Sequence, residues 1–318
     1  MTLPARKPDW LRVRLPAGPQ HDEFQGLRAR FRGRGLHTVC EEARCPNIFE
    51  CWGQGTATVM ILGETCTRGC RFCSVTTGKP GGVVDADEPE NTALSLAEMG
   101  LAYVVLTMVD RDDLPDGGAA HVATTVRRVK HRSPGLRVET LVGDFCGRRE
   151  DIRTVVQDGL PDVYAHNVEV VPRLQRSIRD ARCSWERSVE GLVVAKELGA
   201  SITKSSLMVG LGETHEEVLQ AMRLLRDADV DVLTIGQYLR PTKRHAPVTR
   251  YVEPREFADY EQAGLDMGFA FVASGPLVRS SYRAAEAFLS GVLAEKPDAG
   301  GPPEMNRYGK KRKLSVLT

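Results

Sequence analysis

The sequence has no apolar run approaching the roughly 20 residues needed to cross a bilayer, and its N-terminus, MTLPARKPDWLRVRLPAG, lacks an apolar signal core. Pro4, Pro8 and Asp9 also fit poorly with an amphipathic, Arg/Ser-rich transit peptide. These features predict a cytoplasmic chain of bacterial type with no membrane partner. An excess of either charge is missing too. Lys plus Arg number 43 and Asp plus Glu 42, a formal net charge of +1, so nothing supports a general nucleic-acid binder, which would show a strong basic excess. No internal repeat of solenoid length is present. With 318 residues, 42% of them apolar, the chain can bury a large core as one α/β domain with extensions.

What the chain does have is cysteine in an unusual arrangement. Six of its eight cysteines fall in one stretch, as Cys40, Cys45 and Cys51 in CEEARCPNIFEC and as Cys66, Cys70 and Cys73 in CTRGCRFC. In a large, cytosolic-looking chain, clustered cysteines bind metal or do chemistry more often than they form disulfides. Three thiolates on a short loop can hold three irons of a 4Fe–4S cube. The fourth iron is then left open, which separates a catalytic site from a closed structural one. Two triplets predict two clusters, each completed by something other than cysteine. A zinc knuckle is the alternative for the second triplet, but zinc generally takes four protein ligands in paired spacing, and His37 precedes Cys66 by 29 residues. Cys146 and Cys183 stand apart and read as thiols without a role.

Along the chain, residues 1–55 read as a Pro- and Arg-rich extension carrying the first triplet. Strand patterns follow at 56–63, 103–107, 136–142, 162–168, 202–210, 230–236 and 269–274, separated by helical periodicity at 88–100, 117–132, 149–159, 185–199, 214–228 and 254–268. In the fifth helix Val218, Met222 and Leu225 share one face. Strand–helix alternation repeated six times predicts an α/β fold, a partial TIM-type (β/α)6 barrel over 56–284, with chemistry on the loops that leave the C-terminal ends of strands. The Cys66–Cys73 loop directly follows the first strand of that pattern. Residues 285–318 read as a flexible tail whose KKRK is a solvated charge run.

Two further segments are candidates for cofactor binding. GLGET, with Gly210, Gly212 and Glu213, ends a strand and opens a helix, where glycines let backbone approach a ligand; a plain strand-to-helix turn fits it equally. AHNVE places Asn167 and Glu169 at the mouth end of the fourth strand, to bond a nucleoside or to cap the next turn.

The C-x3-C-x2-C loop after a first barrel strand resembles the radical S-adenosylmethionine superfamily. With CEEARCPNIFECW, VDRDDLPDGGAAH, MVGLGETHEEV, IGQYLRPT and GPLVRSSY in order, the chain from about Trp10 to Ala284 resembles the lipoyl synthase family. That resemblance implies two 4Fe–4S clusters and S-adenosylmethionine, with Cys66, Cys70 and Cys73 holding the cluster that generates a deoxyadenosyl radical. It implies that Cys40, Cys45 and Cys51 hold an auxiliary cluster. Its fourth ligand would be a serine oxygen of Arg279–Ser280–Ser281–Tyr282, Ser281 by correspondence and Ser280 as the fallback. The implied reaction is a sulfurtransferase step: two sulfurs from the auxiliary cluster enter C6 and then C8 of an octanoyl chain on a lysine of a carrier protein. Implied partners are octanoylated lipoyl domains (2-oxoacid dehydrogenase E2 subunits and glycine cleavage H protein), an electron donor such as flavodoxin or ferredoxin, and a protein that rebuilds the spent cluster. The family pattern is departed from at Ser206, Val170, Cys146 and Cys183, none of them an expected cluster ligand. Two alternatives remain: a biotin-synthase-like enzyme acting on a small molecule, which would not need the first triplet with RSSY, and a non-catalytic iron–sulfur carrier, which would not need the barrel.

Overall fold

The computed structural model describes residues 7–11, 37–38 and 56–281. Cys40, Cys45, Cys51, Tyr282 and the tail therefore lie outside the described residues. The chain runs through strands β1 (His37–Thr38), β2 (Thr56–Ile61), β3 (Thr65–Cys66) and β4 (Thr76–Thr77), helix α1 (Glu88–Met99), β5 (Tyr103–Met108), α2 (Ala119–Arg132), β6 (Arg137–Leu141) and α3 (Arg149–Arg153). It continues with β7 (Val163–Ala165), α4 (Gln175–Ile178), α5 (Trp185–Glu197), β8 (Thr203–Val209), α6 (His215–Asp227), β9 (Val232–Gln237), α7 (Pro254–Asp266) and β10 (Phe271–Gly275).

Seven of these strands, β2-β5-β6-β7-β8-β9-β10, pair in parallel in that order. The sheet is the expected partial barrel, with all seven β-rich runs in it. One feature was not anticipated: β1, from the segment read as an extension, adds to the free edge of β2 in antiparallel register, His37 opposite Met60. A parallel sheet covered by helices is buried on its outer face, so Val104, Leu106, Val138, Leu207, Leu233 and Ile235 join the helical layer in one large core. Helix α6 contributes Val218, Ala221, Met222 and Leu225 to it, and Thr214 with Glu217 closes a capping box at its start. The pattern expected as one helix over 149–159 divides: α-helical turns to Arg153 widen into a π-helical stretch, Thr154–Gly159. There Gly159 lies so close to α2 that a Cβ would come within 3.2 Å of Ala123 Cα.

The concave face is more polar. Lys204 on β8 forms an ion pair with Glu139 on β6, Nζ to Oε1 and Oε2 at 2.9 and 2.8 Å, and Tyr103 Oη donates to Glu139 Oε2 at 2.7 Å. All three are buried. Burial first, and then the Glu139 charge, push the Tyr103 hydroxyl well above its usual range. A buried pair is costly to break because the surviving charge loses its partner. Lys204→Met is therefore expected to lower the unfolding free energy by about 3–5 kcal/mol, and the double variant Lys204→Met/Glu139→Gln by clearly less. Denaturant unfolding of the two variants measures the difference; equal losses would contradict the pairing.

Candidate active site

The loops leaving the C-terminal ends of the strands converge on one rim, and the cysteine loop lies at its centre. Leu62 and Gly63 turn out of β2 with φ 68° and 82°, and β3 and β4 then close the loop as a short parallel ladder. Cys66, Cys70 and Cys73 are all half-buried on it. Their sulfurs face backbone amides: Arg68 N donates to Cys66 Sγ at 3.4 Å and Asp180 N to Cys70 Sγ at 3.3 Å. Burial raises the Cys66 thiol and pushes Cys73 up to about 11, while Cys70 is raised first by its hydrogen bond with Cys183 and then by burial. Among the described residues no three His, Cys, Asp or Glu side chains gather tightly enough to hold a single metal ion. Three thiols spread around a loop, with N–H donors aimed at sulfur, fit a cube, in which each cysteine binds a different iron.

Arg68, between the first two cysteines, fixes this loop to its neighbours. Its side chain is 1% exposed and lies among carboxylates from two other loops. Nε and Nη2 bond both oxygens of Asp112 at 3.0 and 2.8 Å, Nη2 bonds Asp144 Oδ1 at 2.7 Å, and Asp110 Oδ1 lies 3.6 Å from Nη1. Burial is the largest influence and by itself would raise Asp112 and Asp144, but the hydrogen bonds and charge of Arg68 together with smaller contributions from other neighbours outweigh it, lowering Asp144 and taking Asp112 down to about 2. Asp110 accepts no hydrogen bond from Arg68, and burial lifts it to about 6. Further ties come from Thr67 N to Asp110 O (2.9 Å), Gly69 N to Asp180 Oδ2 (2.8 Å) and Arg71 N to Ile178 O (2.8 Å). His245 Nε2 sits 2.9 Å from the Cys73 carbonyl, as donor in that tautomer.

The two cysteines read as roleless belong to this network. Arg68 Nη1 lies 3.5 Å from Cys183 Sγ and Nη2 3.6 Å from Cys146 Sγ, and the Cys146 thiol donates to Asp112 Oδ1 at 3.3 Å. Phe145, Cys146 and Gly147 all take positive φ, which turns the β6 loop back over Arg68. Spacing gave no sign of Arg68, Asp112, Asp144 or Asp180 as anchors. A charged residue inside a cysteine loop was the one available signal, since a guanidinium enclosed by a fold needs carboxylate partners.

Asn167 and Glu169 stand on the same rim just past β7. Asn167 Nδ2 donates to Glu169 Oε1 at 3.1 Å. Glu169 takes φ 68° and bridges to β8 through its own backbone, N to Ser206 O and O from Met208 N. Burial raises its carboxyl while Arg179 works against that. Buried Arg179 bonds Ser188 Oγ at 2.8 Å, and its Nε has no partner among the described residues. After β8, Glu213 folds back on its own turn and accepts from Gly210 N (2.5 Å) and Leu211 N (2.9 Å). Its carboxylate is therefore engaged by the turn. Gly210 has φ 99°, and a Cβ there would meet Gln237 Nε2 at 2.1 Å, so close packing explains that glycine. Past β10 the chain crosses β9 so tightly that a Cβ on Gly236 would lie 2.1 Å from Val278 O. Arg279, Ser280 and half-buried Ser281 are thereby held on the same rim. Whether Ser281 meets Cys40, Cys45 and Cys51 lies outside the described residues.

Two outcomes follow from this geometry. Arg68→Met leaves buried Asp144 with only the more distant Arg187, at 3.8 Å, as a counter-charge and is expected to cost about 3–5 kcal/mol of stability and to lower iron uptake on anaerobic reconstitution. Arg68→Lys keeps the charge without the two-pronged bonding and should fall between; Arg68→Met with wild-type stability and iron content would contradict the anchor. His166 is enclosed between Val142 O (2.8 Å) and Ser188 Oγ (3.0 Å), and burial, then Arg179, depress it to about 4. The folded state thus binds its proton less readily than the unfolded state, whose histidine titrates near about 6.5. The unfolding free energy should drop by about 1.4 kcal/mol per unit as pH falls from 6.5 towards 4. His166→Gln should flatten that slope, and an unchanged slope would show that His166 does not set it.

Comparison with known proteins agrees with this geometry. Residues 60–225 match the radical SAM superfamily and residues 3–45 match the N-terminal domain of lipoyl synthase of the radical SAM family. Lipoyl synthase of Sorangium cellulosum is 56% identical over 310 residues, covering 93% of this chain and 81% of that protein. That of Thermus thermophilus is 56% identical over 284 residues, covering 89% and 87%. The mitochondrial lipoyl synthase of Fusarium vanettenii is 55% identical over 299 residues, covering 92% and 72%. Among solved structures, methylornithine synthase superposes with a TM-score of 0.54 at 14% identity, covering 94% of this chain and 86% of that one, which speaks to the fold alone. On the strength of the cysteine loop, the half-barrel that carries it and these relatives, the chain belongs to the lipoyl synthase family of radical S-adenosylmethionine enzymes.

Proposed function

We propose that this enzyme replaces hydrogens at C6 and C8 of a protein-bound octanoyl group with sulfur, and that its two cysteine triplets divide the work. When bound, the cluster on Cys66, Cys70 and Cys73 together with S-adenosylmethionine supplies a carbon radical, and the auxiliary cluster supplies the sulfur. The observation that carries the assignment is the loop geometry: three half-buried thiols facing amide donors, held in place by Arg68. The residues around the loop orient and exclude. Arg68, Asp112 and Asp144 keep the cysteine loop in register with the β5 and β6 loops. Asn167 and Glu169, paired at 3.1 Å, offer an amide and a carboxylate to the hydroxyls and amino group of a nucleoside. Gly210, Gly212 and Glu213 shape the turn that brings backbone to the rim, with Glu213 holding it rather than reaching a ligand. We assign Ser281 with Cys40, Cys45 and Cys51 to the auxiliary cluster; what supports it is the position of Arg279–Ser281 on the same rim as the cysteine loop.

The enzyme acts on octanoylated carrier proteins. The finer assignments proposed are lipoyl domains of 2-oxoacid dehydrogenase E2 subunits and the glycine cleavage H protein, with flavodoxin or ferredoxin as reductant and a separate protein restoring the auxiliary cluster. No helix among the described residues is long and apolar enough to cross a membrane, and the relatives include bacterial and mitochondrial proteins; a cytoplasmic setting is proposed by likeness to the bacterial ones.

Single-residue variants separate the two triplets. On an octanoylated lipoyl-domain peptide under anaerobic conditions, Cys40→Ala is expected to release deoxyadenosine yet make no lipoyl product, and to keep about four irons. Cys70→Ala should do neither. Product from Cys40→Ala would overturn the division of roles, as would deoxyadenosine from Cys70→Ala.

A further inference from the structure

The cysteine loop is bordered on one side by a patch of positive charge that the reaction described so far does not use. Arg71 lies between the ligands Cys70 and Cys73 and is exposed. Its Nη1 donates to Ser177 O at 2.9 Å, which places it against exposed Arg176, and its carbonyl accepts from Ala246 N at 2.8 Å, which places it against the β9–α7 loop. That loop presents Arg240, Lys243 and Arg244, all exposed, and is held in shape by Arg240 Nε bonding His245 O at 2.9 Å. His245 in turn reaches the Cys73 carbonyl. Three chain segments thus bring five cations to one face beside two of the three cluster ligands.

None of the five has a carboxylate partner among the described residues. Most exposed arginines elsewhere do: Arg132 pairs with Glu90, Arg149 with Glu197, Arg173 with Glu217, Arg182 with Asp180 and Arg223 with Glu216. In a chain whose formal net charge is only +1, five unbalanced cations in one place form a local field of the kind that steers an acidic partner. The cluster assigned to this loop takes its electron from a reductant, and the backbone of Arg71 gives a direct path to both neighbouring cysteines.

We propose that Arg71, Arg176, Arg240, Lys243 and Arg244 form the docking face for an acidic one-electron carrier protein, of the reduced flavin or iron–sulfur class, which reduces the cluster on Cys66, Cys70 and Cys73. This rests on the assignment of that cluster under the proposed function. One electron leaves the reduced carrier and enters the oxidised cluster, and no covalent bond forms or breaks. An acidic carrier domain bearing the octanoyl group is the competing occupant. The observations favour the reductant, since the patch adjoins the ligands through the loop backbone itself, and electron transfer needs proximity without an opening for an acyl chain.

The test uses reconstituted full-length enzyme carrying R176E/K243E/R244E, three positions whose side chains make no hydrogen bond among the described residues, and the neutral R176Q/K243Q/R244Q as a milder second variant. Stopped-flow absorbance would follow cluster reduction by reduced flavodoxin, by reduced ferredoxin and by dithionite, at low salt and at about 0.5 M salt. The charge-reversed enzyme should be reduced by the protein donors about ten-fold or more slowly at low salt, with the wild-type salt dependence flattened and the neutral variant in between. Dithionite reduction, iron content and binding of an octanoylated lipoyl domain should match wild type. Donor-driven rates within about two-fold of wild type would overturn the proposal, and so would loss of lipoyl-domain binding with donor rates retained, which would give the face to the substrate carrier. A wild-type enzyme that dithionite cannot reduce would instead overturn the cluster assignment beneath it.

Discussion

One guanidinium, buried where the cysteine loop meets the loops after β5 and β6, is the contact on which the rest of the rim depends. Arg68 sits among Asp110, Asp112 and Asp144 and touches the thiols of Cys146 and Cys183. A short loop carrying three cysteines has little apolar surface of its own to bury, so packing alone cannot fix it. Charge-assisted hydrogen bonds to elements of a rigid sheet can, because such bonds are directional and strong at low exposure. The loop's position is thereby set by parts of the chain far away in sequence. That preorganisation is what a loop needs if its cluster must keep one iron position open.

The barrel and the rim use charge in opposite ways. On the concave face Lys204 and Glu139 are paired within a buried trio and contribute shape, leaving no net field. At the surface beside Cys73 the cations have no carboxylate partner among the described residues and contribute a field. Between them the half-barrel separates a buried interior from a charged approach surface suited to a transient protein partner. Transient partners gain more from steering than from buried area, which fits five exposed side chains.

The barrel was largely legible in the sequence because its signals are local. Strand runs such as TATVMI and YVVLTM are rich in β-forming residues and buried on both faces, as parallel strands in a covered sheet are, and the periodicity of α6 named Val218, Met222 and Leu225 correctly. The placing of Cys66, Cys70 and Cys73 on one loop after the first barrel strand was legible for the same reason, since the three share a short segment. What could not be read were contacts between loops. Arg68 with Asp144 spans 76 residues, and no spacing rule links them. Cys183 looked idle because the partner that gives it an environment, Cys70, is far back in the chain. Glu213 looked like a ligand group, whereas its oxygens close on Gly210 and Leu211, three and two residues away, a choice that depends on the φ of Gly210. The widening of the third helix at Thr154 left no trace in its periodicity, and neither did the pairing of β1 with β2.

The central claim is that one cysteine triplet serves to generate a radical and the other to give up sulfur. The most direct measurement is a single turnover on an octanoylated lipoyl domain, with clusters assembled from heavy-isotope sulfide and no sulfide in solution, read by mass spectrometry of the product. The account predicts that both inserted sulfurs carry the heavy isotope and that iron is released from one cluster while the other survives. Light sulfur in the product, or lipoyl formation with both clusters intact, would contradict it.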